Sequence, residues 1–423
     1  MAPIFLITGE AARYNTRVMT PPRTLVELLH DVCRHVGADD EALVLLDNTG
    51  AVRLGFPLDP PKVQGPHPIL TSAIANGWHG QDKLRRSGWI NLYADGRPRV
   101  HLCLMGWVRG DPMVDVAHPD RSWEWNVRFH DKTKCVYHTS PGVTGIGMLR
   151  ERYGPVHTQD PLWLPDWRNI PPAQPDHQAE KWLSWINPVP DMHRHHHGYD
   201  AIRAYLRTAG CLMVARGALQ HQTPRRRGDT IAFDVRRGGY WRIPVHPWPL
   251  SSIPDPAGDR PRVRMPGEDF DSWWPTTPTV KLLRWLADNG WYPPVEPLES
   301  FTAPDIRLFR RWAGAVRAVV EDPVLSDVGK EIYRQTSGML GAGARRIDRP
   351  DWRHTWIADS RCWLWRKMWA AHLAGRKPIQ VEVDAVWYGS HDPDPVRAAP
   401  AGFPIDPTGT QLGAFRVLEG ADA

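Results

Sequence analysis

Three proline-rich stretches constrain this 423-residue chain before any motif does: 58–68 (LDPPKVQGPHP), 165–175 running on to Pro190 (PDWRNIPPAQP…NPVP), and 244–266 (PVHPWPLSSIPDPAGDRPRVRMP). Proline fixes φ and removes a backbone donor, so none of them extends far as helix or central strand; they read as linkers or irregular surface loops. The main boundary is expected near residues 170–190. No period of 20–50 residues recurs, which removes solenoids and propellers. The 22 tryptophans carry too much apolar surface for a wholly disordered chain. No run approaches the ~18 uncharged apolar residues of a membrane span, and the N-terminal MAPIFLITGEAARY lacks the basic region of a secretory signal. Five widely spaced cysteines suit reduced thiols and exclude a disulfide scaffold or a four-Cys zinc module. A soluble, cytoplasmic, multi-domain protein with no membrane partner is expected.

Of 52 basic side chains 43 are Arg and nine are Lys, and the net charge is +5. Arg offers phosphate a planar, bidentate fork where Lys offers a point charge, so a polyanionic partner fits. A GC-rich genome inflates Arg, Pro, Gly, Ala and Trp together, and composition alone leaves nucleic-acid binding open.

Apolar spacing predicts helices over 24–36 (TLVELLHDVCRHV), 144–153, 279–289, the pair 304–320 and 325–340 broken at Asp322-Pro323, and 351–373 with Pro350 in its first turn. Residues 88–107 read as a hairpin, WINLY and RVHLCLMGW around ADGRP, and 240–245 (YWRIPV) as a strand. Residues 412–418 (LGAFRVL) read as a closing strand. The fold class is therefore α+β, with a mixed α/β first region.

The segment 378–387 (PIQVEVDAVW) reads as one strand carrying Glu382 and Asp384 at i and i+2. Period 2 puts both acids on one face. Two like charges inside an apolar strand cost free energy unless a cation neutralises them; an exposed edge with polar alternation is the plainer alternative. Two further segments bear on it: Asp200 in YDAIRAYL, with Tyr205 five positions on, and Lys330 in KEIYRQTSGML, with Gly338 eight positions on.

Acid, then basic helix, then paired acids resembles the order of motifs A, B and C in family B DNA polymerases: Asp-x-x-x-Leu-Tyr, Lys-x-x-x-Asn-Ser-x-Tyr-Gly and Asp-Thr-Asp-Ser. The resemblance covers roughly residues 195–415 and looks closest to the shortened telomere-associated (Tap-type) proteins of actinobacterial linear replicons. It implies a degenerate RNase H/exonuclease-like domain at 1–175 and a palm at 176–300 with motif A. A short helical fingers insertion with motif B follows at 301–345, and a second palm part with motif C at 346–423, with no thumb. It implies Asp200, Asp384 and Glu382 as ligands of catalytic Mg²⁺ or Mn²⁺. Lys330 would reach the triphosphate, with Arg310, Arg311 or Arg317 as a second clamp. Tyr205 would lie under the sugar and Gly338 against the nascent base pair. Arg225, Arg226, Arg227 and Arg334 would contact the nucleic-acid backbone. Partners are then DNA ends or single-stranded template, dNTPs, and a terminal protein whose hydroxyl primes synthesis; the location would be nucleoid-associated. Arg334, Ser337 and Leu206 depart from the family pattern.

Before residue 200 the only Asp-x-Glu is Asp39–Glu41, expected in a polar turn, so the first half reads as a non-catalytic platform. His193, His195, His196 and His197 read as a solvated loop or phosphate contacts rather than a zinc site. Two functions compete: a compact, thumbless nucleotidyltransferase, and a non-catalytic DNA-end (telomere) binding protein that recruits a terminal protein.

Overall fold

The computed structural model describes residues 2–62, 66–80, 86–153, 169–173, 180–189, 191–226, 229–258, 262–265, 270–341 and 348–418. Arg227 lies outside them. The architecture is mixed α+β, in two compact units: Met1–Arg152 with Ala315–Thr336, and Tyr153–Gly314 with Ser337–Ala423.

In the first unit a seven-stranded sheet has three parallel central strands, Ile4–Ile7, Glu41–Leu46 and Arg99–Leu104, with antiparallel strands on both flanks. Near-continuous apolar runs such as ALVLL suit strands covered on both faces. Helix Leu25–His35 starts where Thr24 accepts the Glu27 N–H, and it buries Leu25, Leu28, Leu29 and Val32 against the sheet. The expected hairpin forms as Trp89–Tyr93 and Arg99–Leu104. Glu41, by contrast, is not in a polar turn: it is the first residue of a central strand.

The second unit holds two antiparallel sheets of five strands each. One is built on Arg237–Pro244 and Glu299–Ile306. The other runs, in spatial order, Phe415–Val417, His195–Ala201, Ala385–Ser390, Pro378–Val383 and Leu183–Ile186. One face of this second sheet presents Tyr199, Val381, Val386 and Tyr388 to a core shared with helices Thr277–Asp288 and Pro350–Leu373. Pro350 opens the long helix at its first turn, as expected.

A buried ion pair ties these helices together. The Glu180 carboxylate accepts from the backbone N–H and hydroxyl of Thr276 and the hydroxyl of Thr279 through Oε1, and from Arg361 Nη2 through Oε2 at 2.6 Å. Both side chains are at most 1% exposed.

Three further expectations are corrected. Residues 378–387 are not one strand but two, Pro378–Val383 and Ala385–Ser390, folded into a hairpin with Glu382 opposite Ala385. The first helix of the 304–340 pair starts only at Arg310, because 304–306 complete strand Glu299–Ile306 and pair with Val214–Ala215 and Arg237. His195, His196 and His197 are not loop residues; they open the strand that ends beyond Asp200.

Candidate functional site

Cross-strand partners in an antiparallel sheet share a face. One row across the second sheet reads Arg416, Asp200, Ala385, Glu382 and Ser184. The next row, Val417, Tyr199, Val386, Val381 and Trp185, turns toward the core. Asp200 and Glu382 therefore stand on the face turned away from the helices, two strands apart. Glu382 is exposed, whereas Asp200 keeps 16% of its side chain accessible.

Asp384 sits in the hairpin turn rather than on a strand, so the expected i, i+2 sharing of a strand face does not hold for it. Val383 before it has φ 58°, a left-handed conformation that β-branched residues avoid. The turn brings Asp384 to the end of the Asp200 strand, where its carbonyl accepts the Ala201 N–H at 3.0 Å. Burial, reinforced by the nearby Asp200 charge, pushes the Asp384 carboxyl up to about 6. Burial also raises Asp200, against the pull of Arg416.

Arg416 is the residue the sequence reading missed. Its Nε and Nη2 both contact Asp200 Oδ2, at 2.7 and 2.6 Å. The alternation of LGAFRVL carried the signal: Phe415 packs into the core, so Arg416 faces the acids. The backbone leaves ordinary geometry on both sides of the pair, since Arg203, just after the Asp200 strand, also has positive φ (53°). Left-handed geometry costs an L-residue roughly 1–2 kcal/mol, and Asn tolerates it better than Val. Val383→Asn is therefore expected to raise stability by about 1 kcal/mol in urea denaturation; unchanged or lower stability would show that Val383 is not strained.

The other candidate residues lie as follows. Tyr205 is on helix Ala204–Cys211, half-buried, with its ring 4.6 Å from that of Trp182. Arg310 and Arg311 are exposed in the first turn of helix Arg310–Val320. In the first unit, Arg317 pairs with Glu321 (2.6 Å), the residue just after its helix, while Lys330 pairs with Asp327 (3.0 Å) and Arg334 with Glu331 on their own helix. Gly338 has open space where a Cβ would stand. Arg225 and Arg226 are exposed after the strand Gln220–Gln222. At the far end of the Asp200 strand, Asp191 pairs with His193 at 2.5 Å and with His196 at 3.0 Å. Among the described residues no helix is long and apolar enough to cross a membrane.

Asp200 and Asp384 offer only carboxylate oxygen, which suits a hard divalent cation such as Mg²⁺ or Mn²⁺ rather than a thiolate-seeking metal; with Glu382, two strands from Asp200, they do not gather into a cluster with ligand atoms within 4.8 Å of one another. Burial first, and the Asp200 charge second, raise the Asp384 carboxyl, and Asp200 already carries the Arg416 guanidinium; a divalent cation would offset the same negative charge, so these two acids fit such an ion.

No family model and no curated protein matches the chain. Among solved structures, Phi29 DNA polymerase with primer-template DNA (post-translocation binary complex) aligns over 98% of this chain and 84% of that one, at 10% identity and TM-score 0.45. The same polymerase with single-stranded DNA aligns with the same figures. Its ternary complex with primer-template DNA and incoming nucleotides aligns over 94% of this chain and 78% of that one, at 11% identity and TM-score 0.47. A likeness this slight assigns neither family nor activity.

Proposed function

We propose that the Asp200–Asp384 pair is a divalent-metal site for nucleotidyl transfer, and that the chain is a compact family B-like DNA polymerase acting on DNA ends. The observation that carries this reading is the convergence of two carboxylates from distant chain segments at one end of a sheet, close enough for Asp200 to raise Asp384. A fold gains no stability from such a pair unless something cationic binds it. Asp200 and Asp384 would hold Mg²⁺ or Mn²⁺, with Glu382 on the same face. Such an ion lowers the pKa of an attacking hydroxyl and offsets charge on the α-phosphate.

The chain's own part is binding and orientation. Arg416, 61% exposed, is free to swing from Asp200 to a phosphate once a cation takes its place. The roles of Lys330, Arg310, Arg311 and Arg317 at the triphosphate rest on the motif resemblance. So do those of Tyr205 under the sugar, Gly338 at the base pair, and Arg225, Arg226, Arg227 and Arg334 on the backbone. DNA, dNTPs and a terminal protein acting as primer are the partners this reading requires.

The Arg416–Asp200 pair also favours a second reading. An arginine already neutralises half of the acid pair, as it would in a DNA-end binding protein that needs no metal and recruits a terminal protein. Labelled dNTPs with Mg²⁺ or Mn²⁺, with and without template, separate the two. Metal-dependent incorporation supports the polymerase. DNA-end binding without incorporation under any of these conditions supports the binder.

A further inference from the structure

A second cluster of ligating side chains lies in the first unit, whereas Asp200, Glu382 and Asp384 belong to the second. Glu41 opens a central strand, His101 lies on the neighbouring parallel strand, and His138 precedes helix Pro141–Gly147. One ligand atom from each lies within 4.8 Å of the other two. We propose that Glu41, His101 and His138 form a binding site for a Zn²⁺-class transition-metal ion, with an open coordination position facing the adjoining cavity.

Four features support this. First, His101 is 7% exposed and its Nδ1 stands 2.7 Å from Asn91 Oδ1, its register partner across the hairpin. An amide oxygen only accepts, so Nδ1 carries a proton, and in the neutral ring that leaves the lone pair on Nε2, the nitrogen facing Glu41. A second hydrogen bond of this kind commonly orients a metal-binding imidazole. Second, Nε2 is 3.7 Å from Glu41 Oε1, close to the ~3.4 Å edge of a tetrahedron with bonds of about 2.0–2.2 Å. Third, the backbone of His138 is clamped by Thr144, whose hydroxyl both accepts its N–H and donates to its carbonyl; the His138 ring stacks on that of His101 at 4.2 Å and 4°, so it must turn about its own side-chain bonds to bring its in-plane lone pair to the shared ion. Fourth, a cavity of about 520 Å³ lined by Glu41 and His138 supplies an entry path, and His130 and Cys135 on its wall are further donors within it.

Two imidazoles and one carboxylate make a borderline donor set, unlike the all-oxygen set around Asp200. Three protein ligands beside a cavity match an open metal site rather than a closed structural one. Arg99 Nη1 lies 3.3 Å from Glu41 Oε1 and would compete with an ion, but that side chain is 53% exposed, and such a pair yields readily.

The test is Zn²⁺ titration of the chelator-treated full chain, in buffer with excess Mg²⁺ to occupy hard-cation sites, read by calorimetry and by the visible spectrum of the Co²⁺ form. One saturable site is expected, with affinity reduced at least about tenfold in Glu41→Gln and in His138→Ala, and by roughly as much in Asn91→Ala. It should be unchanged in His196→Ala, which removes the histidine at the edge of the other unit's sheet. Glu41→Gln is nearly isosteric and settles the matter if His138→Ala does not fold. No saturable Zn²⁺ binding, binding indifferent to Glu41→Gln, or binding lost only in His196→Ala would each overturn the proposal.

Discussion

Asp384→Asn is expected to abolish metal-dependent nucleotide incorporation, by about 10³-fold or more, while making the metal-free protein more stable at neutral pH. The loss follows from removing a carboxylate that would hold the ion where charge develops in the transition state. The gain follows from linkage. The folded Asp384 carboxyl titrates at about 6 against an ordinary 3.8, so between these values the folded state binds more protons than the unfolded one. Its contribution to stability falls as pH rises through this window and is unfavourable above it. Asparagine has no charge to bury. It should raise stability on the order of 1–2 kcal/mol at pH 7–8, allowing for partial exposure, and leave it nearly unchanged near pH 4. Asp200→Ala should match the activity loss, and Lys330→Ala should lower incorporation only in part. Urea titrations at the two pH values, run beside the incorporation assay, check both arms. Activity surviving in Asp384→Asn would mean that the acid pair is not the reacting site.

Glu180→Ala is expected to cost about 3–5 kcal/mol, enough to threaten folding of the second unit. Removing one partner of a fully buried ion pair leaves the other charge uncompensated, and here Arg361 is 1% exposed and Thr276 and Thr279 also lose their acceptor. The double variant Glu180→Leu with Arg361→Met should recover much of the loss, because apolar replacement of both partners removes the stranded charge. A Glu180→Ala cost under about 1 kcal/mol in chemical denaturation would show that water reaches Arg361.

Local signals were legible where one short segment decides its own structure. Thr24 and the apolar spacing behind it marked a helix to within a residue of Leu25–His35, and the ADGRP turn marked the hairpin of the first sheet. Pro350 marked the start of the long helix. The acids at 382 and 384 drew attention for a sound reason, their charge in an apolar segment, but their arrangement was misread. Strand alternation assumes a straight backbone, and nothing in the string Glu-Val-Asp-Ala carries the Asn or Gly that usually signals a two-residue turn. Arg416 was missed because its importance comes from pairing across chain-distant strands, which no window of sequence contains. Glu41 was misplaced for a related reason. A polar residue at the head of a buried strand looks like the tail of the preceding turn, and only the parallel register beside Arg99 fixes it as part of the sheet.

The most direct measurement is Mn²⁺ binding to the full chain, followed by electron paramagnetic resonance, with wild type, Asp200→Asn and Asp384→Asn compared at pH 7.5. If these two carboxylates form a divalent-metal site, wild type takes up Mn²⁺ saturably, Mg²⁺ competes for the same site, and either substitution weakens binding by an order of magnitude or more. Mn²⁺ uptake of equal strength in wild type and both variants, or no saturable uptake by the wild type, would contradict that claim.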